Sequence, residues 1–154
     1  MEEIVKLLIE RNKKVSTMES CTGGYIVNSI TNIPGASDII EYSSVTYSNE
    51  YKIKMGVDRE LIDKYTVYST EVSRDMALKI SNYTLSNYGI GVTGRLGRID
   101  KSNIEGDSNT VYISIYDRDN DKYYNKKIKA IDDARSKNKE MIIKEIEEVL
   151  IKII

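Results

Sequence analysis

The chain has 154 residues, 40% of them apolar and 31% charged, and its 23 basic and 24 acidic side chains leave a net charge of −1. That size and balance fit one soluble domain around one core, and they exclude a disordered chain, a membrane-spanning chain and a strongly basic nucleic-acid binder. Histidine is absent and cysteine occurs once, which excludes His-dependent triads, His-bearing metal sites and any intrachain disulfide.

Residues 2–12 place Ile4, Leu7 and Leu8 at helical spacing behind an acidic start, which predicts a first helix. Those acids stand where a secretory leader would carry basic residues; with the lone thiol, this predicts a cytoplasmic protein. Residues 14–19 alternate Val15 and Thr17 against Ser16 and Met18 and read as a short strand. The SCTGG stretch at 20–24 then turns into a helix over 23–31, which Pro34-Gly35 ends. Residues 41–48 (EYSSVTYS) are rich in strand formers and predict a strand at a sheet edge. A short helix follows over 49–55, closed by Gly56, and Asp58 caps another over 59–64. Ser69-Thr70-Glu71 opens a long helix with Val72, Met76, Ile80 and Tyr83 on one face.

Residues 88–92 read as a short buried strand, and 93–108 as a polar loop. Residues 110–116 and 122–130 form a hairpin around 118–121. Its second arm, KYYNKKIK, is locally basic; it reads as a polar strand face with snorkelling lysines rather than a nucleic-acid patch. A last helix over 134–153 carries Met141, Ile142, Glu145 and Val149 at helical spacing. Helices alternating with strands, then a late hairpin, predict an α/β fold: a mixed sheet with helices on both faces.

Four places could carry chemistry. The first is Glu19-Ser20-Cys21-Thr22-Gly23-Gly24 at a strand end, where α/β folds gather ligand sites; Ser20 and Thr22 also read as ordinary helix caps. Cys21 reads as a small buried hydrophobe before it reads as a nucleophile. The second is the strand-to-helix passage through Tyr47 and Lys52. A lysine serves as a base only when neutral, so its free pKa of ~10.4 must fall about 3 units, at a cost of roughly 4 kcal/mol. Any single lysine among so many reads first as a solvated surface group. The third is Gly91-Val92-Thr93-Gly94, whose glycines suggest close approach to a ligand or a plain turn. The fourth is Arg135 at the start of the last helix, held by a phosphate or simply by Asp132 or Asp133.

In order and spacing, MESCTGGYIVNSITNIPGAS, VTYSNEYKIKMGV, YSTEVSRDMA, GVTG and the Ala-Arg-Ser-Lys-Asn-Lys run at 134–139 together resemble the CinA C-terminal family. The resemblance covers residues 4–153 and implies a three-layer α/β/α domain with a mixed sheet, one domain over 1–154 in its stand-alone form. It implies a metal-free amidohydrolase without a cofactor, since the family includes nicotinamide mononucleotide deamidases, which yield nicotinate mononucleotide and ammonia in the recycling of NAD precursors. In that pattern Ser20 is the nucleophile, Lys52 its base and Tyr47 a further catalytic position. Cys21, Thr22, Gly23, Gly24, Glu41, Thr93, Gly94 and Arg135 then surround the substrate. The partners expected are a small nucleotide and further copies of the chain, with neither nucleic acid nor membrane.

The text departs from the family after GVTG. Where the family continues I-A-G-P and later K-P-V-G-T-V, this chain has Arg95-Leu96-Gly97-Arg98-Ile99-Asp100 and, later, Gly106-Asp107-Ser108-Asn109-Thr110-Val111; Lys139 also replaces an arginine. Two other readings therefore stand beside the deamidase. One is a catalytically silent protein that binds a nucleotide or a partner through a remodelled 95–108 loop. The other is a different amidase or esterase in which Arg95 and Arg98 select another anion.

Overall fold

Glu2 and Glu3 sit in the first turn of a helix, where the peptide dipole favours acids, and Ile4, Val5 and Leu8 turn inward from it. This helix, α1 (Glu2–Glu10), leads in a computed structural model to β1 (Val15–Glu19), α2 (Tyr25–Thr31), β2 (Ser43–Val45), α3 (Asn49–Lys54), α4 (Arg59–Tyr65), α5 (Thr70–Thr84), β3 (Tyr88–Gly94), β4 (Thr110–Asp117), β5 (Lys122–Lys129) and α6 (Arg135–Ile153). The residues described are 1–97, 103–104, 109–131 and 134–154. The strands form one mixed sheet in the order β2-β1-β3-β4-β5, parallel across the first three and antiparallel across the last three.

Each face of the sheet has its own core. Val15, Ile90, Val92, Val111, Ile113 and Ile115 meet α1, α2 and α6 on one side. On the other, Met18 and Tyr112 meet Val57, Ile62, Val67, Val72, Met76 and Ile80. Burying such side chains contributes roughly 1.5–3 kcal/mol each, so the two helical layers hold the strand ends in fixed register. All five residues of β1 are buried because both of its faces are covered, which is why its polar positions do not mark a solvent side.

Three expectations need correction. The strand expected over 41–48 is paired only at 43–45, because Ser48 leaves the sheet to cap α3, accepting from Tyr51 N at 3.3 Å. Tyr83, expected on the inner face of α5, is 68% exposed and packs on Tyr42, with ring centroids 5.3 Å apart. The glycines of β3 make no turn, and packing against neighbouring backbone requires them. A Cβ at Gly89 would come within 2.1 Å of Ala77 O, and one at Gly91 within 2.2 Å of Ser73 O. They let α5 lie backbone against backbone on the strand, beneath the small residues Ser73, Ala77 and Ser81. Ser73 and Ser114 hydroxyls, 2.7 Å apart, keep that seam satisfied.

Edge strand β5 exposes alternate residues, and its lysines lie along neighbouring groups. Lys126 pairs with Glu145 at 3.0 Å, while the ammonium groups of Lys122 and Lys127 lie over Tyr124 and Tyr112. Charges along an open edge oppose pairing with another sheet.

Candidate active site

The parallel strands end together. Glu19 lies opposite Val45 and Val92, so the residues after β1, β2 and β3 emerge at one end of the sheet, the usual place for a ligand in an α/β fold. A cleft of about 250 Å³ opens there.

The turn after β1 begins with Ser20, whose N–H donates to Val92 O at 3.0 Å, and Gly23 N then donates back to Ser20 O at 3.0 Å. Gly23 and Gly24 take φ values of +61° and +90°, a left-handed pair that residues with a Cβ adopt only under strain. The caps read at Ser20 or Thr22 are not made. The buried Glu19 carboxylate, 0% exposed, accepts from the N–H groups of Gly24, Ile26 and Val27 at 3.0, 3.1 and 2.9 Å, and from Thr17 Oγ1 at 3.2 Å. The start of α2 is thus occupied by a side chain of the protein. Among the described residues, the amides of Cys21 and Thr22 are left without a backbone acceptor. The hydroxyl of Thr22 is buried and likewise unpartnered.

Lys52 lies opposite. It is 1% exposed, which overturns the expectation of a surface lysine. Thr46 follows β2 directly, Ser48 caps α3, and the first turn of that helix carries position 52 inward. The Lys52 ammonium donates to Ser20 Oγ at 3.0 Å and to Thr46 O at 2.8 Å. With one proton fewer, the same amine keeps an N–H on Thr46 and turns its lone pair to the Ser20 hydroxyl. That is the geometry of a nucleophile and its base.

The other expected positions divide. Tyr47 is 65% exposed and sits at the cleft mouth, not on its floor; its hydroxyl accepts from Arg135 Nη2 at 3.5 Å. Arg135 also donates to Leu96 O at 2.5 Å, so the first residue of α6 joins the chain after β3 to the chain after β2. Lys139, one turn on, brings its ammonium near Gly23 and to 5.9 Å from the Tyr25 ring centre. Burial pushes the Cys21 thiol up to about 12, against the pull of Arg135 and Lys52, so it stays protonated at neutral pH and is no rival to Ser20.

Thr93 lines the cleft, but its hydroxyl proton is committed to Val67 O at 2.7 Å, leaving a ligand only lone pairs. Gly94 also lines the cleft; a Cβ there would lie 2.6 Å from Thr110 O, so β4 is what requires this glycine. Glu41 is not in the site. It pairs with Lys14 ahead of β2, at the opposite end of the parallel strands. Arg98, Asp132 and Asp133 lie outside the described residues.

Sequence reading missed the wall residues Asn49, Val67 and Tyr68, and held Asn103 only as part of the 95–108 loop. Asn49 and Asn103 exchange amide hydrogen bonds of 2.8 and 3.3 Å, and the buried Arg95 guanidinium stacks on Tyr68 at 4.7 Å while donating to Asn103 O. Asn49 follows a cap and Tyr68 a coil, and nothing local distinguishes them from surface residues.

The fold and site define an α/β protein with a mixed five-stranded sheet and a buried serine–lysine pair at the carboxyl ends of its parallel strands. The sequence matches the CinA C-terminal domain family over residues 1–154, and the chain belongs to that family. A CinA-like protein of Flavobacterium psychrophilum is 35% identical over 147 residues, 92% of this chain and 35% of that protein. A Clostridium kluyveri protein, named as competence-damage inducible, is 40% identical over 120 residues, 77% of this chain and 29% of its own. The chain spans about a quarter to a third of the length of such relatives. Among solved structures, competence/damage inducible protein CihA from Agrobacterium tumefaciens has a TM-score of 0.85 at 26% identity, covering 98% of this chain and 93% of that one. A CinA superfamily protein of Klebsiella pneumoniae gives 0.87 at 18% identity, covering 97% and 91%, a likeness of fold.

Proposed function

We propose that the protein is a serine amidohydrolase that converts nicotinamide mononucleotide to nicotinate mononucleotide and ammonia. The observation that carries this reading is the 3.0 Å contact of Lys52 Nζ with Ser20 Oγ in a cleft beside Arg135. Neutral Lys52 takes the hydroxyl proton as Ser20 Oγ bonds to the carboxamide carbon. It returns that proton to the nitrogen as the C–N bond breaks, and ammonia leaves. Water then gives a proton to Lys52 and attacks the acyl carbon. The ester bond breaks, Ser20 regains its proton from Lys52, and the carboxylate departs. The amides of Cys21 and Thr22 are the donors available to the oxyanion, since Glu19 occupies those of α2. Arg135, at the mouth, offers the phosphate a guanidinium.

The test is ammonia release from the mononucleotide by purified protein. Release is expected from the wild type, none from Ser20→Ala, and a loss of about 10²–10⁴-fold in Lys52→Ala. Binding without release across a broad pH range would sink the reading in favour of the silent nucleotide binder. Arg95, buried in the cleft wall, supports a second reading in which another anionic amide or ester is preferred. Turnover of such a compound, with the mononucleotide refused, decides for it.

A further inference from the structure

We infer that Glu19 is a positioning residue for the nucleophile: its carboxylate fixes the turn that presents Ser20 and the Cys21 and Thr22 amides. The inference rests on the Ser–Lys reading above. Glu19 is the last residue of β1 and adjoins Ser20, yet it points to the opposite face of the strand, the α2 side. Both carboxylate oxygens are filled, Oε2 by Gly24 and Ile26 N–H and Oε1 by Val27 N–H and the Thr17 hydroxyl. No basic side chain forms an ion pair with it among the described residues, so its buried charge is answered by backbone and hydroxyl dipoles. These four bonds tie residue 17 on the strand to residues 24, 26 and 27 on the helix, and residues 20–23 span the interval. With Gly23 and Gly24 in left-handed conformations, the turn has little stiffness of its own. The carboxylate supplies it.

The arrangement has a second effect. A helix start with free amides competes for any anion in the cleft. Here three of those amides are taken, while the Cys21 and Thr22 amides, next to Ser20 in the chain, have no backbone acceptor among the described residues. Glu19 therefore both steadies Ser20 and decides which backbone groups remain for the oxyanion. Glutamine at position 19 keeps the size but turns an NH₂ toward groups that are themselves donors, and the turn must shift to relieve the clash. Misplacement of about 1 Å near a reacting centre costs on the order of 100-fold in rate.

The experiment compares wild type, Glu19→Gln and Thr17→Val. One assay is ammonia release; the other is labelling by a fluorophosphonate, which forms a Ser20 Oγ–P bond, expels fluoride and passes the hydroxyl proton to Lys52 without needing nucleotide recognition. Well below its melting temperature, folded Glu19→Gln is expected to label about 10–100-fold more slowly, with kcat reduced in step and KM changed less than about threefold. Thr17→Val, which removes one of the four bonds, is expected to slow labelling about 2–10-fold. A Glu19→Gln protein that is folded and labels at the wild-type rate overturns the inference, since a purely structural glutamate would lower stability without slowing Ser20. Should Glu19→Gln not fold, Thr17→Val decides, and a wild-type rate there overturns it too. Wild type that labels but releases no ammonia removes only the substrate assignment; wild type that does not label at Ser20 removes both.

Discussion

The turn after β1 and the last residues of β3 lie at the same end of the sheet, both carry glycines and small polar residues, and they are built for different ends. In SCTGG, residues 20–24, the glycines take φ of +61° and +90° and no backbone crowds them, so they serve to bend the chain around Ser20. In GVTG, residues 91–94, the glycines are extended, and Gly91 and Gly94 are pressed against Ser73 O and Thr110 O. Thr93, between them, gives its proton to Val67. The first is a left-handed turn around a cleft hydroxyl, and the second is a strand end shaped by packing. Glycine next to a hydroxyl residue is therefore no evidence of chemistry until its backbone angles and its neighbours are known.

Substitutions can break or sharpen this contrast. The largest effect belongs to the α3 residue that reaches the first turn: under the proposed mechanism, Lys52→Met fills most of the buried volume but leaves Ser20 without its base. Ammonia release is expected to fall about 10²–10⁴-fold, with an orphaned Thr46 carbonyl costing about 1–3 kcal/mol in a denaturant titration. Next comes Gly91→Ala, where the new Cβ has only backbone to push against. A loss of about 3 kcal/mol is expected in the same titration, with residual folded protein keeping its rate per site. Gly23→Ala should reverse that pattern, costing roughly 1–2 kcal/mol for a left-handed residue with a Cβ but slowing turnover because Ser20 moves. A smaller stability loss for Gly91→Ala than for Gly23→Ala would end the contrast.

The smallest effect concerns Cys21. Its thiol ionises near the ordinary 9.0 when unfolded but near 12 when folded, so the folded chain holds that proton more tightly. This contribution is complete below pH about 9 and is lost as pH rises toward 12. Cys21→Ala should lose stability less steeply than wild type over that window. The raised phenols of Tyr88, Tyr116 and Tyr123 are common to both proteins and cancel in the comparison.

The layout was legible because its signals are local. Ser69 and Asp58 cap the helices they were read to cap, and helical spacing marked Ile4 and Leu8 of α1, Val72, Met76 and Ile80 of α5, and Ile142 and Val149 of α6, while Leu7, Tyr83, Met141 and Glu145 are not among the buried residues. Ser20 and Lys52 were legible only through the resemblance, because position 52 is buried by the way α3 leaves β2, which no window around Lys52 reveals. Glu41 was placed in the site by the resemblance alone; it precedes β2 and so lies at the amino ends of the parallel strands, beside Lys14. The Glu19 cap escaped notice because the carboxylate lies five to eight residues before the amides it holds, beyond the reach of the usual capping pattern. What a sequence window cannot see here is return contact, where the chain comes back upon itself.

The tight seam between α5 and β3 limits how this protein can change. With helix and strand touching through Gly89 and Gly91, there is almost no side-chain volume in that layer to trade, and any larger residue has nowhere to go. Adaptation of the cleft to new ligands, by selection or by design, is confined to its margins: Asn49 on α3, the stretch from Arg95 to Gly97, and the first turn of α6. The slab beneath them is a fixed bench on which only the fittings can be exchanged.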